Sequence, residues 1–395
     1  MTAPRDVYVV SAARTAIGTF GGTLKDTPPI DLATIAIKAA IARSGADAAQ
    51  IGHVAMGTVI PTETRDAYLG RVAAVAAGVP KETPAFNVNR LCGSGLQAII
   101  SASQAIILGD CEMAIGAGAE SMSRGPYISQ TARFGARMGD TALVDYMVGI
   151  LHDPFHKIHM GITAENVAEQ FGITRQMMDE LAVTSHQRAA AAIAAGRFTA
   201  QIVPVDIVTR KGTTLFITDE HVKADTTMET LGKMRAAFKK DGLVTAGNAS
   251  GVNDGASALV LASGDAVKAG GLKPMARLVG YAHTGVEPTI MGIGPVSATR
   301  AVLKRTGLKV SDLDVIEANE AFAAQACAVS KELDLDPAKV NPNGSGISLG
   351  HPVGATGAII TTKALYELQR TGGRYALVTM CIGGGQGIAA IFERC

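Results

Sequence analysis

An internal duplication limits the fold of this 395-residue chain more than any other feature. Segments of the first part recur in the same order in the last part, in four pairs: 32–59 with 297–322, 87–99 with 339–359, 112–121 with 375–384, and 253–263 with 384–394. The paired segments share few identical residues, and any alternating α/β chain would match in part, but the repeated order favours a true duplication. We therefore predict two similar α/β halves.

The predicted strands are apolar on both faces, as in VYVVSA (7–12), ALVLAS (258–263) and ALVTMCI (376–382). Strands of this kind lie in sheets that helices cover on both sides. The sequence thus predicts the α/β class, with helical layers on either side of each sheet.

Irregular polar and charged stretches interrupt the first half between residues 122 and 249. Long insertions in compact folds are often functional or form contacts between subunits. We predict a first half of residues 1–121 continued by 250–275, an inserted loop domain of residues 122–249, and a second half of residues 276–395.

Composition argues against several kinds of partner. The net charge is +1, tryptophan is absent and aromatic residues make up 4%, so we expect no nucleic-acid partner and no attraction to acidic membranes. No stretch reaches the roughly 18 uninterrupted apolar residues of a membrane helix. The N-terminus MTAPRDVYVV lacks the order of a secretory signal, so we expect a cytoplasmic protein.

The five cysteines are widely spaced without a CxxC pair, which predicts neither disulfides nor a metal site.

Cys92 is the first candidate for chemistry. It lies in RLCGSGLQAI, directly before a run to Leu108 with apolar residues at helical spacing. A helix N-terminus favours the thiolate, and the flanking glycines leave room for a carbonyl and supply N–H donors. A lone cysteine is more often a small core residue, but this Gly-Ser-Gly setting favours a nucleophile.

His351 lies in SLGHPVGATGA, the counterpart of the Cys92 turn in the second half. If the halves pack about a pseudo-twofold axis, the two turns face each other. His351 could then accept the thiol proton of Cys92. The alternative is a capping or core histidine, which is what most single histidines are.

Two further candidates lie at the ends of predicted strands. Cys381 lies two residues before Gly383, at the end of a predicted strand. A thiol there can act as an acid or base, and the adjacent glycines allow close approach and offer N–H groups to a developing negative charge. The alternative is a core cysteine. Asn319 lies between a strand and a helix in VIEANEAF, near a predicted N-cap, and capping alone would explain it. The glycines of GGGQG precede a strand-like run and not a helix, which argues against a dinucleotide site.

The motifs NRLCGSGLQAI, NEAFAAQ, NPNGSGISLGHPVGATGA and CIGGGQGIAAIFE together resemble the thiolases, and the match runs in order over the whole chain. Within that family the chain is most similar to bacterial broad-specificity β-ketothiolases and acetyl-CoA acetyltransferases. The resemblance implies a five-layer αβαβα fold of two duplicated halves with mixed sheets. It also implies reversible condensation of an acyl-CoA with acetyl-CoA.

The resemblance assigns a role to each candidate. Cys92 would be the acylated nucleophile, activated by His351, and Cys381 would move the α-proton of acetyl-CoA. Asn319 would hold a water that binds the thioester oxygen together with the imidazole. The N–H groups of Cys92 and Gly383 would stabilise the oxyanion on the acylated cysteine.

Acetyl-CoA, acyl-CoA and CoA would be substrates, and no cofactor is implied. The resemblance places a set of residues around the pantetheine and acyl groups: His159, Met160, Ser250, Met291 and Phe322. Lys223 stands where the family often has an arginine near the adenosine, and lysine keeps the charge but loses planar stacking and bidentate reach. Ser345 stands where many thiolases have glycine, and we hypothesise an effect on acyl specificity. The family also implies a homo-oligomer, a dimer across the core sheets that a loop of the insertion often joins into a tetramer. Residues 124–145 have a suitable mix of apolar and charged residues for that loop.

Three alternatives compete with this interpretation. A non-catalytic acyl-CoA carrier on the same fold should have lost a thiol or the histidine, and this chain keeps Cys92, His351 and Cys381. A decarboxylating condensing enzyme typically has a histidine in the NEAF position or a second catalytic histidine, where this chain has Asn319 and Cys381. The sequence does not separate a thiolase devoted to β-oxidation, because the same site runs in both directions.

Overall fold

The computed structural model describes residues 5–395. The strands, in chain order, are β1 Val7–Thr15, β2 Gly18–Thr19, β3 His53–Gly57, β4 Ala85–Val88, β5 Met113–Ser121, β6 Tyr127–Ile128, β7 Val144–Asp145, β8 Ile202–Val203, β9 Val205–Thr209, β10 Gly212–Phe216, β11 Asn253–Ser263, β12 Ala276–Gly285, β13 Val315–Ala318, β14 Tyr375–Ile382 and β15 Gln386–Arg394. The α-helices are α1 Pro29–Ser44, α2 Leu69–Ala76, α3 Ser94–Leu108, α4 Tyr146–Ile150, α5 Met160–Phe171, α6 Arg175–Ala194, α7 Met228–Gly232, α8 Gly264–Gly270, α9 Gly294–Thr306, α10 Ala323–Leu333, α11 Gly346–Leu349 and α12 Val353–Thr371.

The strand order shows the duplication directly. The main sheet runs β13-β14-β15-β12-β1-β11-β5-β3-β4. Its two halves join where β1 pairs antiparallel with β12, at Tyr8–Arg277 and Val9–Ala276. Outward from this junction, β1, β11, β5 and β3 match β12, β15, β14 and β13. Each half ends in a parallel pair, so the sheet is mixed as predicted.

Alternating side chains along the strands build the layers. In β11, Ala258 and Val260 face a core cluster with α1, whereas Leu259 and Leu261 face a cluster with α3 and α12. In β15, Ala390 faces the α3 and α12 cluster and Ile391 faces a cluster with α9. Helices α3 and α12 therefore lie between the two half-sheets, and α1 and α9 cover the outer faces. This order is the predicted αβαβα arrangement.

The central helices cross at very close range. A Cβ atom at Gly357 of α12 would lie 2.2 Å from the Leu96 nitrogen of α3, and one at Gly95 of α3 would lie 2.7 Å from the Ala358 nitrogen. Glycine at these positions lets the backbones touch, and this contact brings the N-terminal ends of both helices together.

Replacing Gly357 with alanine should destabilise the protein. Alanine favours a helix by about 1 kcal/mol over glycine, but here the new methyl group meets backbone atoms that cannot turn aside. Overpacking of this kind costs about 1–3 kcal/mol or more, so we expect a net loss in the free energy of unfolding by urea. The control Gly149→Ala, in α4, adds a methyl group with no described atom within 4 Å and should not destabilise.

The inserted segment is anchored to the first half. Arg14 of β1 and Asp219 form a fully buried bidentate ion pair, with N–O distances of 2.7 and 2.9 Å. Strand β8 also pairs in parallel with β1. The predicted division into a first half, a loop domain and a second half stays a prediction.

Within residues 5–395, hydropathy and length alone would allow one helix to cross a membrane. The window Leu91–Leu108 has a mean hydropathy of 1.5, and 67% of it is buried inside the protein. This window contains α3, a central helix of the fold. A buried core helix passes the same length and hydropathy test, so the finding is weak evidence for a membrane span.

Candidate active site

Cys92 lies in a turn directly before α3. The helix starts at Ser94, with Gly93 as its N-cap. The Ser94 hydroxyl accepts the Arg90 N–H at 2.8 Å and donates to the Leu91 carbonyl at 2.6 Å. Leu91 has a φ of 45°, a left-handed conformation that is uncommon for leucine. Such strain persists only where the surroundings hold it, often at functional sites, and here it fixes Cys92 at the end of a buried helix.

A cavity of about 270 Å³ opens onto Cys92. His351 and Gly383, from the second half, line it together with Cys92 from the first half. The structure therefore brings the two duplicated turns to one cavity. Its other walls are largely apolar and include Val59, Met122, Ile150, Leu151 and Val353.

The imidazole of His351 is buried beside polar but uncharged groups. Its Nδ1 lies 2.7 Å from Thr356 Oγ1, and the Asn319 Nδ2 lies 3.4 Å from both ring nitrogens. The backbone N–H of His351 donates to Asn253 Oδ1 at 2.9 Å, which fixes the residue in its turn. Burial lowers the pKa of His351 to about 4, so the ring is neutral at pH 7.

Cys381 lies near the end of β14 and is fully buried. It packs in one cluster with Met160, Met291 and Phe322, all of which line the cavity. Burial raises the pKa of Cys381 above its ordinary range, and the charge of an ionised Cys92 raises it further. The two thiols are therefore close enough to influence each other's ionisation.

The glycines after Cys381 form the turn between β14 and β15. Gly384 and Gly385 have φ values of 79° and 84°, which suit glycine alone. The backbone N–H groups of Gly383 and Cys92 favour the ionised form of the Cys92 thiol and so lower its pKa. The same two groups are the donors that the resemblance assigns to the oxyanion of an acylated Cys92.

Burial decides the protonation of the resting site. It raises the pKa of Cys92 to about 11, which outweighs the two N–H groups that favour the thiolate. The helix N-terminus favours the thiolate, as predicted from its position, but desolvation has the larger effect on the pKa of Cys92. The resting site holds a neutral thiol beside a neutral imidazole. Proton transfer between them becomes favourable only when it accompanies attack on a substrate.

Family models cover nearly the whole chain. "Thiolase, N-terminal domain" matches residues 7–265, and "Thiolase, C-terminal domain" matches residues 272–394. The chain belongs to the thiolase family. The resemblance read from the motifs is thereby confirmed.

Similar proteins match this thiolase from end to end. It is 65% identical to the "Beta-ketothiolase BktB" of Cupriavidus necator, over 99% of both chains. It is 50% identical to the acetyl-CoA acetyltransferase of Escherichia coli, again over 99% of both chains.

Solved structures show the same fold. The crystal structure of the Bacillus anthracis acetyl-CoA acetyltransferase is 46% identical, with a TM-score of 0.98 over 100% of both chains. Human mitochondrial 3-ketoacyl-CoA thiolase in complex with CoA is 46% identical, with a TM-score of 0.96 over 99% of this chain and 98% of that one. These matches confirm the predicted thiolase fold.

Most of the residues predicted to contact CoA line the cavity of this thiolase: His159, Met160, Ser250, Met291 and Phe322. The His159 Nδ1 caps α5 by accepting the Gly161 N–H at 3.0 Å. Its ring stacks on Phe238 with centroids 4.6 Å apart, and Phe238 meets Phe322 edge-on at 6.2 Å. These three rings form one wall of the cavity.

Lys223 lies outside the catalytic cavity. It lines a second cavity of about 220 Å³ together with His186 and His221. Ala249 and Gly251 line both cavities, so the two adjoin. The structure thus separates Lys223 from the thiols but leaves it next to their cavity.

One local expectation requires correction. Asn319 does not cap a helix, because β13 ends at Ala318 and α10 begins at Ala323 with Phe322 as its N-cap. The Asn319 amide instead contacts His351. Ser345 is buried and lines neither cavity, so the structure gives no direct contact by which it would shape acyl specificity.

Sequence reasoning missed three residues at this site. Phe238 stands alone among the charges of GKMRAAFKKDG, a segment that reads as a solvated loop. Glu120 has a fully buried carboxyl group that accepts the N–H groups of Val59, Ile60 and Gly354 at 2.9–3.1 Å, and so ties the two halves together beside the cavity. Its signal is an acid within the apolar strand IGAGAES. Thr356, which contacts His351, carries no sequence signal.

Metal binding has no support in the part of the chain that the structure describes, where no group of three His, Cys, Asp or Glu residues could hold an ion.

Proposed function

We propose that this thiolase joins an acyl-CoA to acetyl-CoA, giving a 3-ketoacyl-CoA and CoA, in a reversible ping-pong reaction through acyl-Cys92. The observation that carries the proposal is one cavity lined by Cys92, His351 and the Gly383 N–H, with the second thiol, Cys381, packed against its wall. The names of the similar proteins, a β-ketothiolase and acetyl-CoA acetyltransferases, support the same chemistry.

In the first half-reaction Cys92 attacks the thioester carbonyl of an acyl-CoA. His351 takes the thiol proton and gives it to the departing CoA sulfur, so that CoA leaves as a thiol. The N–H groups of Cys92 and Gly383 stabilise the oxyanion of the tetrahedral intermediate. The enzyme is left with a neutral thioester on Cys92.

In the second half-reaction the Cys381 thiol proton passes to the His351 ring, and the Cys381 thiolate removes an α-proton from acetyl-CoA. Asn319, with a water, and the protonated His351 ring support the charge on the thioester oxygen. The resulting enolate attacks the acyl-Cys92 carbonyl, the proton that Cys381 took from acetyl-CoA passes to the departing Cys92 sulfur, and His351 returns its proton to Cys381. The reverse sequence cleaves a 3-ketoacyl-CoA with CoA.

The two adjoining cavities suit a long substrate. The first takes the acyl group and pantetheine between the methionines and the aromatic wall, and no cofactor is needed. The second takes the nucleotide end of CoA, where Lys223 supplies positive charge near the phosphates or adenosine. Its ammonium group offers charge without the planar fork of an arginine.

A direct assay tests this function. Purified protein is mixed with CoA and 3-ketoacyl-CoAs of increasing length, and the loss of each 3-ketoacyl-CoA is followed together with the acyl-CoA formed. We expect cleavage of acetoacetyl-CoA and of at least one longer homologue. A folded protein that cleaves none of them, and is not acetylated by acetyl-CoA, would favour the carrier interpretation.

The inserted segment supports a proposed homotetramer. Within residues 124–145, Phe134 and Met138 have 95% and 89% of their surfaces exposed. Exposed apolar side chains of this density usually mark a contact surface. A cytoplasmic location, expected from the N-terminal sequence, also remains part of the proposal.

The double replacement Phe134→Ser with Met138→Ser should convert tetramers into dimers, because it removes the most exposed apolar surface of this segment. Light scattering would report the mass. Leu215→Ser, at a 60% exposed position on β10, is the matched control and should leave the mass unchanged. A double variant that stays tetrameric would contradict this placement of the interface.

A further inference from the structure

The contacts of the His351 ring raise the question of which ring nitrogen carries the proton. The general base must be unprotonated at the nitrogen that meets the Cys92 thiol. A neutral imidazole has one N–H, and the partner of the other nitrogen usually decides where it sits. In this site that partner is a hydroxyl, the Thr356 Oγ1, at 2.7 Å from Nδ1.

Asn319 does not make the choice. Its Nδ2 lies 3.4 Å from both Nδ1 and Nε2, so the amide does not discriminate between them. Burial favours the neutral form of the ring and so lowers its pKa, but a shift for the whole ring does not select one nitrogen. Thr356 is the side chain whose contact distinguishes one ring nitrogen from the other.

The direction of the Thr356 hydroxyl follows from its second contact. Oγ1 donates to the Pro352 carbonyl at 2.8 Å, four residues earlier in the chain. Threonine commonly makes this bond in a helix, to a carbonyl that also accepts backbone N–H groups, as Pro352 does here. A hydroxyl has one proton, so an Oγ1 that donates to Pro352 presents only lone pairs to His351.

We propose that the Thr356 hydroxyl keeps the proton of the neutral His351 ring on Nδ1, so that Nε2 is free to accept the thiol proton of Cys92. Thr356 is then a positioning residue, acting through His351. When Cys92 attacks, its proton moves from Sγ to Nε2 and the ring becomes an imidazolium, still bonded through Nδ1–H to Oγ1. The Nε2 proton then passes to the departing CoA sulfur, which restores the starting tautomer.

The hydrogen-bond partners described for this ring are an amide and a hydroxyl, with no carboxylate among them. A carboxylate would also hold the proton on Nδ1, but would raise the basicity of the ring in the resting state. A neutral acceptor fixes the tautomer and leaves the ring uncharged.

The proton position can be measured without any turnover. Protein labelled with ¹⁵N in its histidine rings would be studied by NMR, and the His351 signals assigned by their loss in His351→Asn. We expect a protonated Nδ1 and an unprotonated Nε2 in the wild type. In Thr356→Val we expect the proton to redistribute toward Nε2. A wild-type ring protonated on Nε2, or an unchanged tautomer in Thr356→Val, would overturn the proposal.

Kinetics give the second readout, and this part rests on the proposed role of Cys92. In metal sites, loss of the group that orients a histidine typically costs about 10- to 100-fold in activity, and we expect a similar factor for the orientation of His351. Thr356→Val should slow acetylation of Cys92 by about that factor, with the KM for acetyl-CoA little changed, and Thr356→Ser should restore most of the rate. Equal rates in Thr356→Val and wild type would contradict the proposal.

Thr361 offers a matched control on the same helix. It is buried, and its hydroxyl makes the same kind of bond, to the Gly357 carbonyl at 2.7 Å. Thr361→Val should lose a similar bond without affecting the tautomer or the acetylation rate. If the wild type is not acetylated at all, the proposed function fails, whereas the NMR result still decides the tautomer.

Discussion

Replacing Cys92 with serine should abolish the acetyl-enzyme and lower the turnover rate by up to about 10⁶-fold, the scale seen when an enzyme nucleophile is removed. A serine hydroxyl is far less acidic than the thiol, and the neighbouring His351 is a weak base, with a pKa of about 4. The pair therefore lacks the driving force to generate an alkoxide. Intact mass after mixing with acetyl-CoA measures the adduct, and the rate of acetoacetyl-CoA cleavage measures turnover.

Cys111→Ser provides the matched control for this experiment. Cys111 is also partly buried, and burial raises its pKa to about 11 as well, but it does not line the active-site cavity. The control should carry one acetyl group per chain, on Cys92 by peptide mapping. An acetyl group that persists in Cys92→Ser, or that maps to another cysteine in the wild type, would show that the nucleophile is not Cys92.

The fold was predictable because its constraints are repeated along the chain. Each half repeats the same series of apolar strands and helices, and strands buried on both faces can only lie between helical layers. Glycines such as Gly357 mark where the central helices touch. The order of the repeats then predicts that the turns of Cys92 and His351 meet at the junction of the halves.

The electrostatics of the site were less accessible to sequence reasoning. The position of Cys92 before a helix favours the thiolate, but the cost of burial depends on how many side chains of the other half surround it. That number follows from tertiary packing and has no local sequence signal. Phe238 was missed because it packs on His159, which is distant in the chain. Thr356 was missed because its contact with His351 depends on side-chain geometry.

The ionisation of the two thiols is coupled, and the coupling suggests how the half-reactions are ordered. The charge of an ionised Cys92 raises the pKa of Cys381. Acylation converts Cys92 into a neutral thioester, which cannot ionise. In the acyl-enzyme no Cys92 thiolate can therefore oppose the ionisation of Cys381, and this is the state in which the reaction needs a base.

Replacing Cys381 with serine should keep the acetyl adduct on Cys92 but lower the condensation rate by about 10²- to 10⁴-fold, the usual contribution of a general acid–base. The variant removes the ionisable thiol while the Cys92 turn, the Gly383 N–H and His351 stay in place. In deuterated water, the replacement of the methyl protons of acetyl-CoA by deuterium should slow by a similar factor, because it begins with removal of an α-proton by the same base. Exchange at the wild-type rate in Cys381→Ser would assign the base to another residue, and loss of the adduct would mean that Cys381 also serves the first half-reaction.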